Sequence, residues 1–354
     1  MKKTRYIKIF LVSLACISCQ QKSQTVVETH TEKQIAFFED EMYFDMSLGG
    51  HPTGIAEYSH PQPYDLDFSK FIKDSDEYIF LLAEDKNFKI ECQSYALNKQ
   101  KNKLKLYNLK TNCHYYYKLI DSNGKSKCQS SFKTSVYPLR NLYIPGVTNC
   151  RDLGGYTTLD GKHKVKQGLL YRTASFNGNY DYFDNVEGLK VIKNQLQIKT
   201  ELDLRTTDEY NYTYSSLGED INYIHCPLKT DQRYYLSYNA EETKNIFNAL
   251  ADINNYPLAF HCAIGTDRTG ILAFCILGLL GVNLENAYKD YLFSNFANIG
   301  SSRSIGQVSI EPYVLIQASH SSFQEAIIDY LTNDIEIEES NITAIQNILL
   351  EENQ

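Results

Sequence analysis

Pro257-Leu258-Ala259-Phe260-His261-Cys262-Ala263-Ile264-Gly265-Thr266-Asp267-Arg268-Thr269-Gly270 leads from an apolar strand, through a short polar loop, into an apolar helix, Ile271 to Leu280. The loop sets a cysteine and an arginine six positions apart. A loop that opens a helix aims several free backbone N–H groups at one spot, at the positive end of the helix dipole. Such a spot binds an oxyanion. A cysteine there loses its proton more readily and becomes a nucleophilic thiolate. The planar fork of Arg268 suits two phosphate oxygens at once. A cysteine serving only as a small buried hydrophobe would need neither Gly265 nor an arginine at the helix start. The stretch therefore predicts a phosphate-binding loop with Cys262 as nucleophile and Arg268 as anchor. The backbone amides from Ala263, Ile264, Gly265 and Thr266 to Arg268 are the expected substrate-binding groups, and the hydroxyl of Thr269 is expected to hydrogen-bond the Cys262 thiolate and ease its release as a leaving group.

Working outward, the chain divides near residue 138. From about 141 to 354, helical and strand patterns alternate. Asp184 to Gln197 has helical spacing, Thr200 to Arg205 and Ile221 to Leu228 read as strands, and Glu241 to Ile253 reads as a helix. This alternation predicts an α/β fold with a mostly parallel central sheet flanked by helices. The active loop lies at the carboxyl end of a strand, where open α/β sheets place their ligands. Residues 46–136 instead carry short strand patterns: Tyr78 to Leu82, Phe88 to Cys92, Lys103 to Leu106 and His114 to Ile120. Asp121-Ser122-Asn123-Gly124 is a hairpin turn, with Lys125 to Lys133 returning. That spacing predicts a small all-β sandwich preceding the α/β domain.

The first nineteen residues predict a targeting segment. Lys2, Lys3, Arg5 and Lys8 precede an apolar run, Ile9 to Ser18, and the chain turns polar straight after Cys19. The run is short for a membrane span and has the layout of a secretory signal. Residues 20–45 then read as a tether. The chain carries a net charge of −8 and no long basic patch, which argues against a nucleic-acid partner. Of nine cysteines, Cys16 and Cys19 lie in the targeting segment, and the others form no short CxxC pair, so neither a zinc site nor a disulfide framework is indicated. Neither a metal nor a cofactor is expected.

Cys-x5-Arg-Thr in this setting is the signature of cysteine-dependent phosphatases, and the likeness extends further. Asn149-Cys150-Arg151-Asp152-Leu153-Gly154-Gly155, Gly168 to Ala174, Asp203-Leu204-Arg205-Thr206 and Asp290-Tyr291-Leu292-Phe293-Ser294-Asn295 are ordered blocks around the loop. Together they resemble the atypical bacterial protein tyrosine phosphatase family. The resemblance implies a cysteine-phosphatase fold over residues 141–354 and a phosphotyrosine protein, or another phosphate monoester, as substrate. Where that family's loop has alanine and lysine, this chain has Ile264 and Thr266. The lost lysine weakens a phosphoinositide or inositol-phosphate reading and leaves the Cys262/Arg268 chemistry intact. A phosphate-binding envelope scaffold without turnover is the other alternative. The stretch from Leu106 to Thr134 is similar to the last strands of a fibronectin type III module. The N-terminus resembles a bacterial lipoprotein signal, with Cys19 as the lipidated residue and Cys16 as runner-up. It implies an exported protein of the cell envelope, held to the membrane by a lipid anchor.

The reaction also needs a proton donor for the leaving group. Asp267 is the first expectation, because the family keeps an aspartate beside the loop arginine. Asp231 is the second, because a mobile loop follows the strand ending at Pro227. Asp203 is third and is better placed to fix the sheet by ion pairing. His261 is expected to orient the loop. Arg151 and Asp152 are expected to form a buried structural ion pair, with support of the loop as the lesser reading.

Overall fold

The structure, a computed structural model, describes residues 25–41, 52–73, 76–90, 92–178, 180, 182–211, 213–230, 235–308 and 320–353. Cys16, Cys19 and Asp231 lie outside the described residues.

The N-terminal unit contains β1 (Thr25–Val27), β2 (Tyr64–Asp67), β3 (Tyr78–Ala83), β4 (Gln93–Leu97), β5 (Lys103–Leu106), β6 (His114–Asp121) and β7 (Ser126–Thr134). Five of them form a sheet in the order β1-β7-β6-β3-β4, and β2 pairs with β5 in a separate two-stranded ladder. The sheet and the ladder share one core, in which Leu66 and Leu104 meet Phe80, Leu82, Leu119 and Phe132. In place of the expected strand Phe88–Cys92 there is a turn. The Asp85 carboxylate accepts from the amides of Asn87, Lys89 and Ile90, and Phe88 takes φ +58°. A local side-chain acceptor thus outcompetes the strand ladder.

The second unit contains β8 (Arg140–Asn141), β9 (Arg151–Asp152), β10 (His163–Val165), β11 (Leu170–Thr173), β12 (Thr200–Asp203), β13 (Asn222–His225), β14 (Leu258–His261) and β15 (Leu350–Glu352). Its main sheet runs β13-β12-β14-β11-β9-β8. The inner pairings β13/β12, β12/β14 and β14/β11 are parallel, and β9 and β8 add an antiparallel edge. The fold is mixed α/β with a mostly parallel sheet. Alternation along β14 serves both faces. Leu258 and Phe260 enter the large core, and Ala259 enters a smaller core with Tyr171, Ile192 and Leu196. This is how a strand buried on both sides reads as a continuous apolar run.

With α1 (Glu32–Glu39), the helices are α2 (Val186–Lys190), α3 (Tyr235–Tyr238), α4 (Ala240–Ala251), α5 (Asp267–Leu279), α6 (Leu284–Phe293), α7 (Ile305–Val308), α8 (Phe323–Asp329) and α9 (Glu339–Leu349). From Arg268 onward α5 is buried all round, as a helix without a polar face must be. No helix among the described residues is long and apolar enough to cross a membrane.

Residues 25–39 fall within the stretch expected to be a tether, yet they are folded onto both units. β1 pairs in parallel with β7. α1 opens on a capping box between Thr31 and Gln34 and buries Phe37 in the large core, 5.5 Å from the ring of Phe296. Eight residues are too few for helical periodicity to stand out in sequence. Two adjacent phenylalanines, meeting an apolar edge left open by α6, decide the placement instead.

Candidate active site

The loop between β14 and α5 is shaped by where its carbonyls go. Ala263 O accepts from the Ser175 amide at 3.1 Å and its hydroxyl at 3.2 Å. The Asn149 side-chain amide donates to Ile264 O at 3.0 Å and Gly265 O at 3.1 Å. Arg172 Nη2 also donates to Gly265 O, at 2.9 Å. Three successive carbonyls are thus drawn outward. In a trans peptide plane the following N–H points the opposite way, so the amides of Ile264, Gly265 and Thr266 face inward as a concave, anion-binding nest. Cys262, 2% exposed, stands at its base. Gly265 is needed at the crest. It takes φ +68°, and an added Cβ would come within 2.4 Å of the Thr173 backbone.

Behind the loop lies a buried charge network. Arg151 donates to Asn149 Oδ1 at 2.6 Å and, through Nε, to Asp290 Oδ1 at 2.8 Å. Arg172 Nη1 pairs closely with Asp290 Oδ2. One carboxylate therefore aims two guanidinium groups, and these aim the loop carbonyls directly and through Asn149. Burial opposes the Asp290 charge, but Arg151 and Arg172 outweigh it and hold its carboxyl below the ordinary value. Burial, helped by the charge of Arg151, pulls Arg172 down to about 10. The expected Arg151–Asp152 pair is not formed. Asp152 instead takes Arg140 Nη1 at 2.8 Å and the amides of Gly154 and Gly168. Neighbours on a strand point to opposite faces, so these two side chains meet different partners. Arg151 supports the loop, and Asp152 ties down the sheet edge.

Arg268 leans over the nest and is fixed by a residue the sequence reading missed. Its Nη1 and Nη2 pair with Glu209 Oε2 and Oε1 at 2.6 and 2.7 Å, and Nη1 also reaches Leu204 O at 3.1 Å. Among the described residues nothing takes Nε–H, and Nη2 has a second hydrogen beside it. That edge of the plane is a two-pronged donor for a phosphate. Burial would raise the Glu209 carboxyl, but Arg268 and the Thr206 amide pull it down to about 2. A negative charge on Cys262 would raise both Arg268 and Arg172, so a thiolate there lies within electrostatic reach of two guanidinium groups. The only sequence signal for Glu209 was its position shortly after Asp-Leu-Arg-Thr.

The other expected site residues fall into three groups. Thr266 is fully buried and turns back to accept from Asn149 at 3.1 Å, so it meets substrate only through its amide. The Thr269 hydroxyl is buried without a hydrogen-bond partner, so the expected bond to the Cys262 sulfur is not made in this arrangement. Asp203 is locked beneath Arg205 at 2.7 Å and accepts from Tyr223 at 3.1 Å. His261 sits between Glu201, at 2.8 Å, and the Cys262 carbonyl, at 3.2 Å, and so orients the strand end. Ligand atoms of Glu201, Asp203 and His261 lie within 4.8 Å of one another, as a cation site would require. All three are already engaged with one another, with Arg205 or with Ser215. Both Asp267 oxygens accept from Arg303, at 2.8 and 3.1 Å, so proton donation from Asp267 requires that pair to open.

A cleft of about 750 Å³ opens beside Ala263 and Ser175. Its walls carry the rings of Tyr143, Phe176, Tyr180 and Tyr182, with Glu57, His60 and Asp184, and no lysine or arginine lines it among the described residues.

A family model described as the tyrosine phosphatase family matches residues 142–351. Over 194 residues the chain is 25% identical to the Cupriavidus necator protein named "Putative tyrosine-protein phosphatase", covering 48% of this chain and 68% of that one. It is 27% identical over 120 residues to a tyrosine-protein phosphatase of Nostoc commune, covering 28% of this chain and 41% of the relative's length. Among solved structures, the core catalytic domain of the PP-IP phosphatase SIW14 of S. cerevisiae is 17% identical, with a TM-score of 0.30, over 48% of this chain and 88% of that one.

Proposed function

The chain belongs to the tyrosine phosphatase family, and we propose that it hydrolyses phosphotyrosine in proteins through a phosphocysteine intermediate on Cys262. The observation that carries this reading is the outward turn of the Ala263, Ile264 and Gly265 carbonyls, which leaves inward-facing amides around one cysteine, under the open edge of Arg268. Cys262 Sγ attacks phosphorus in line. The S–P bond forms as the P–O bond to the phenol breaks, and the leaving oxygen takes a proton. The amides and Arg268 stabilise the charge on the three equatorial oxygens. Water then attacks the phosphocysteine, releasing phosphate and returning the thiolate. Asp267 remains the first candidate for the acid, once Arg303 releases it, and Asp231 the second.

The aromatic walls of the neighbouring cleft suit a peptide around a phosphotyrosine. The carboxylates of Glu57 and Asp184 in its lining, where the described residues include no lysine or arginine, and the inward turn of Thr266 disfavour a polyanionic inositol phosphate. The basic and then apolar N-terminus supports export, with lipid attachment at Cys19 and the phosphatase unit outside the cytoplasm.

The test is p-nitrophenyl phosphate hydrolysis by wild type and by Cys262→Ser. The wild type should turn over. The serine variant should lose many decades of rate yet still bind phosphate, because the amides and Arg268 remain. A serine variant within about tenfold of wild type rules out the covalent route.

A further inference from the structure

The segment before β2 lies outside the family match, yet it reaches both supports of the catalytic loop. Gly54 and Tyr58 donate their amides to Asn295 O and Phe296 O at 2.9 and 2.5 Å, and Ile299 returns a bond to Gly54 O at 2.9 Å. Gly54 takes φ +73°, and an added Cβ would fall 2.8 Å from Ser301 O. On the other side, Asn141 donates to Ser59 O at 2.7 Å, and Gln34 of α1 holds the carbonyls of Tyr58 and His60 at 2.8 and 3.0 Å.

Glu57 sits between these anchors. Its Oε2 accepts from the Thr148 hydroxyl and from the Asn298 amide at 3.2 Å, and its Oε1 accepts from Ser59. Thr148 immediately precedes Asn149, whose side chain turns two loop carbonyls outward. Its own carbonyl accepts from the Ala174 amide at 3.2 Å, beside Ser175, which holds the third. Asn298 belongs to the stretch in which Asn295 fixes the Arg303 backbone at 2.9 and 2.7 Å, and Arg303 in turn grips Asp267. Glu57 thus joins the support at one end of the loop to the support at the other.

Resting on the phosphatase reading above, we infer that residues 54–60 form a strap that positions the catalytic loop, with Glu57 as the positioning residue. It lies in the wall of the neighbouring cleft, but its carboxylate is spent on Thr148, Asn298 and Ser59 and reaches neither the phosphate nor the sulfur. Its effect on the reaction passes through Thr148–Asn149 and through Asn298–Arg303. Losing it lets the loop carbonyls rotate, so the amides no longer point at the transition state. A misplacement of about 1 Å costs on the order of a hundredfold in rate. The N-terminal unit is then a working part of the catalytic apparatus, because the strap leads on into β2.

The experiment uses the full chain with Glu57→Ala and Glu57→Gln. Readouts are kcat and KM on p-nitrophenyl phosphate, the urea unfolding midpoint, and the rate at which iodoacetate modifies Cys262 with and without phosphate, read by peptide mass. Glu57→Ala should lower kcat by about tenfold to a hundredfold, leave KM within about threefold, barely move the midpoint, and weaken phosphate protection of Cys262. Glu57→Gln, which keeps an acceptor for Thr148, should recover kcat to within about threefold of wild type. An alanine variant with wild-type kcat and protection overturns the strap. A loss that matches the unfolded fraction, or a glutamine variant no better than alanine, overturns it too. A wild type that turns over nothing defeats the phosphatase reading instead, and Cys262 protection by phosphate then still decides the strap.

Discussion

Two arginine–carboxylate clusters flank the catalytic loop, and they differ in depth. Behind it, Arg151, Arg172 and Asp290 are at most 1% exposed. At the mouth, Arg268 is 7% exposed and Glu209 33%. A buried carboxylate serving two guanidinium groups cannot be removed without leaving two charges in a medium that cannot solvate them. The mouth pair stays in reach of water, so its loss is screened. The rear cluster therefore sustains the architecture that turns the loop inside out. The front pair sets the angle of one catalytic side chain.

That contrast breaks first at Asp290. Asp290→Asn should destabilise the fold by about 3–5 kcal/mol, seen as a lower urea midpoint, with activity lost along with folded protein. A folded, stable Asp290→Asn would show that the rear cluster is not architectural.

Asp267 belongs to neither cluster and tests what the loop edge does. Asp267→Asn should slow phosphotyrosine hydrolysis by about a hundredfold to ten-thousandfold and spare p-nitrophenyl phosphate, whose leaving group hardly needs a proton. If Asp231→Asn shows that leaving-group dependence and Asp267→Asn does not, the acid is Asp231 and the Arg303 pair is purely structural.

At the mouth, Glu209→Gln should lower kcat/KM by about tenfold to a hundredfold while the unfolding midpoint stays near wild type. The pH behaviour sharpens this. The Glu209 carboxyl is held at about 2, below its ordinary 4.5, so the pair is whole above about pH 4.5 and fades only as pH falls toward about 2. Between pH 5 and 7 the variant's rate profile should therefore be lower than wild type's but of the same shape. An altered acid limb would assign Glu209 a titrating role.

The smallest effect is expected at Thr269, whose buried hydroxyl has no partner. Thr269→Val should leave stability within about 1 kcal/mol. A hydroxyl with no standing partner is free to turn to the sulfur as the S–P bond breaks, so the variant should slow phosphocysteine breakdown by about tenfold, the worth of one hydrogen bond to a charged group. Pre-steady-state release of nitrophenolate separates that step. An unchanged steady state would leave the hydroxyl without a part in the reaction.

Legibility in the sequence followed distance along the chain. The strand–loop–helix unit from Leu258 to Leu279 was readable because its signals sit within a few residues of one another: apolar periods on either side of a loop that carries Cys262, Gly265 and Arg268. The turn at Phe88 was misread because a single acceptor, Asp85, overrode a strand pattern. α1 was missed because its stability comes from Phe37 in a core made by another unit. Arg151 and Asp152 were paired on paper because they are adjacent, and adjacency on a strand is what separates them.

The sequence by itself determined that Cys262 and Arg268 share one loop at a helix start, and that an α/β sheet carries it. Those facts depend on backbone periods and N–H groups only a few residues apart. Only the tertiary structure decided which group satisfies which charge: Arg151 with Asp290 across 139 positions, Arg268 with Glu209 across 59, and Thr148 with Glu57 across 91. Polar contacts at such separations leave no periodic trace, because packing and the cost of an unpaired buried charge select the partner once the chain has closed.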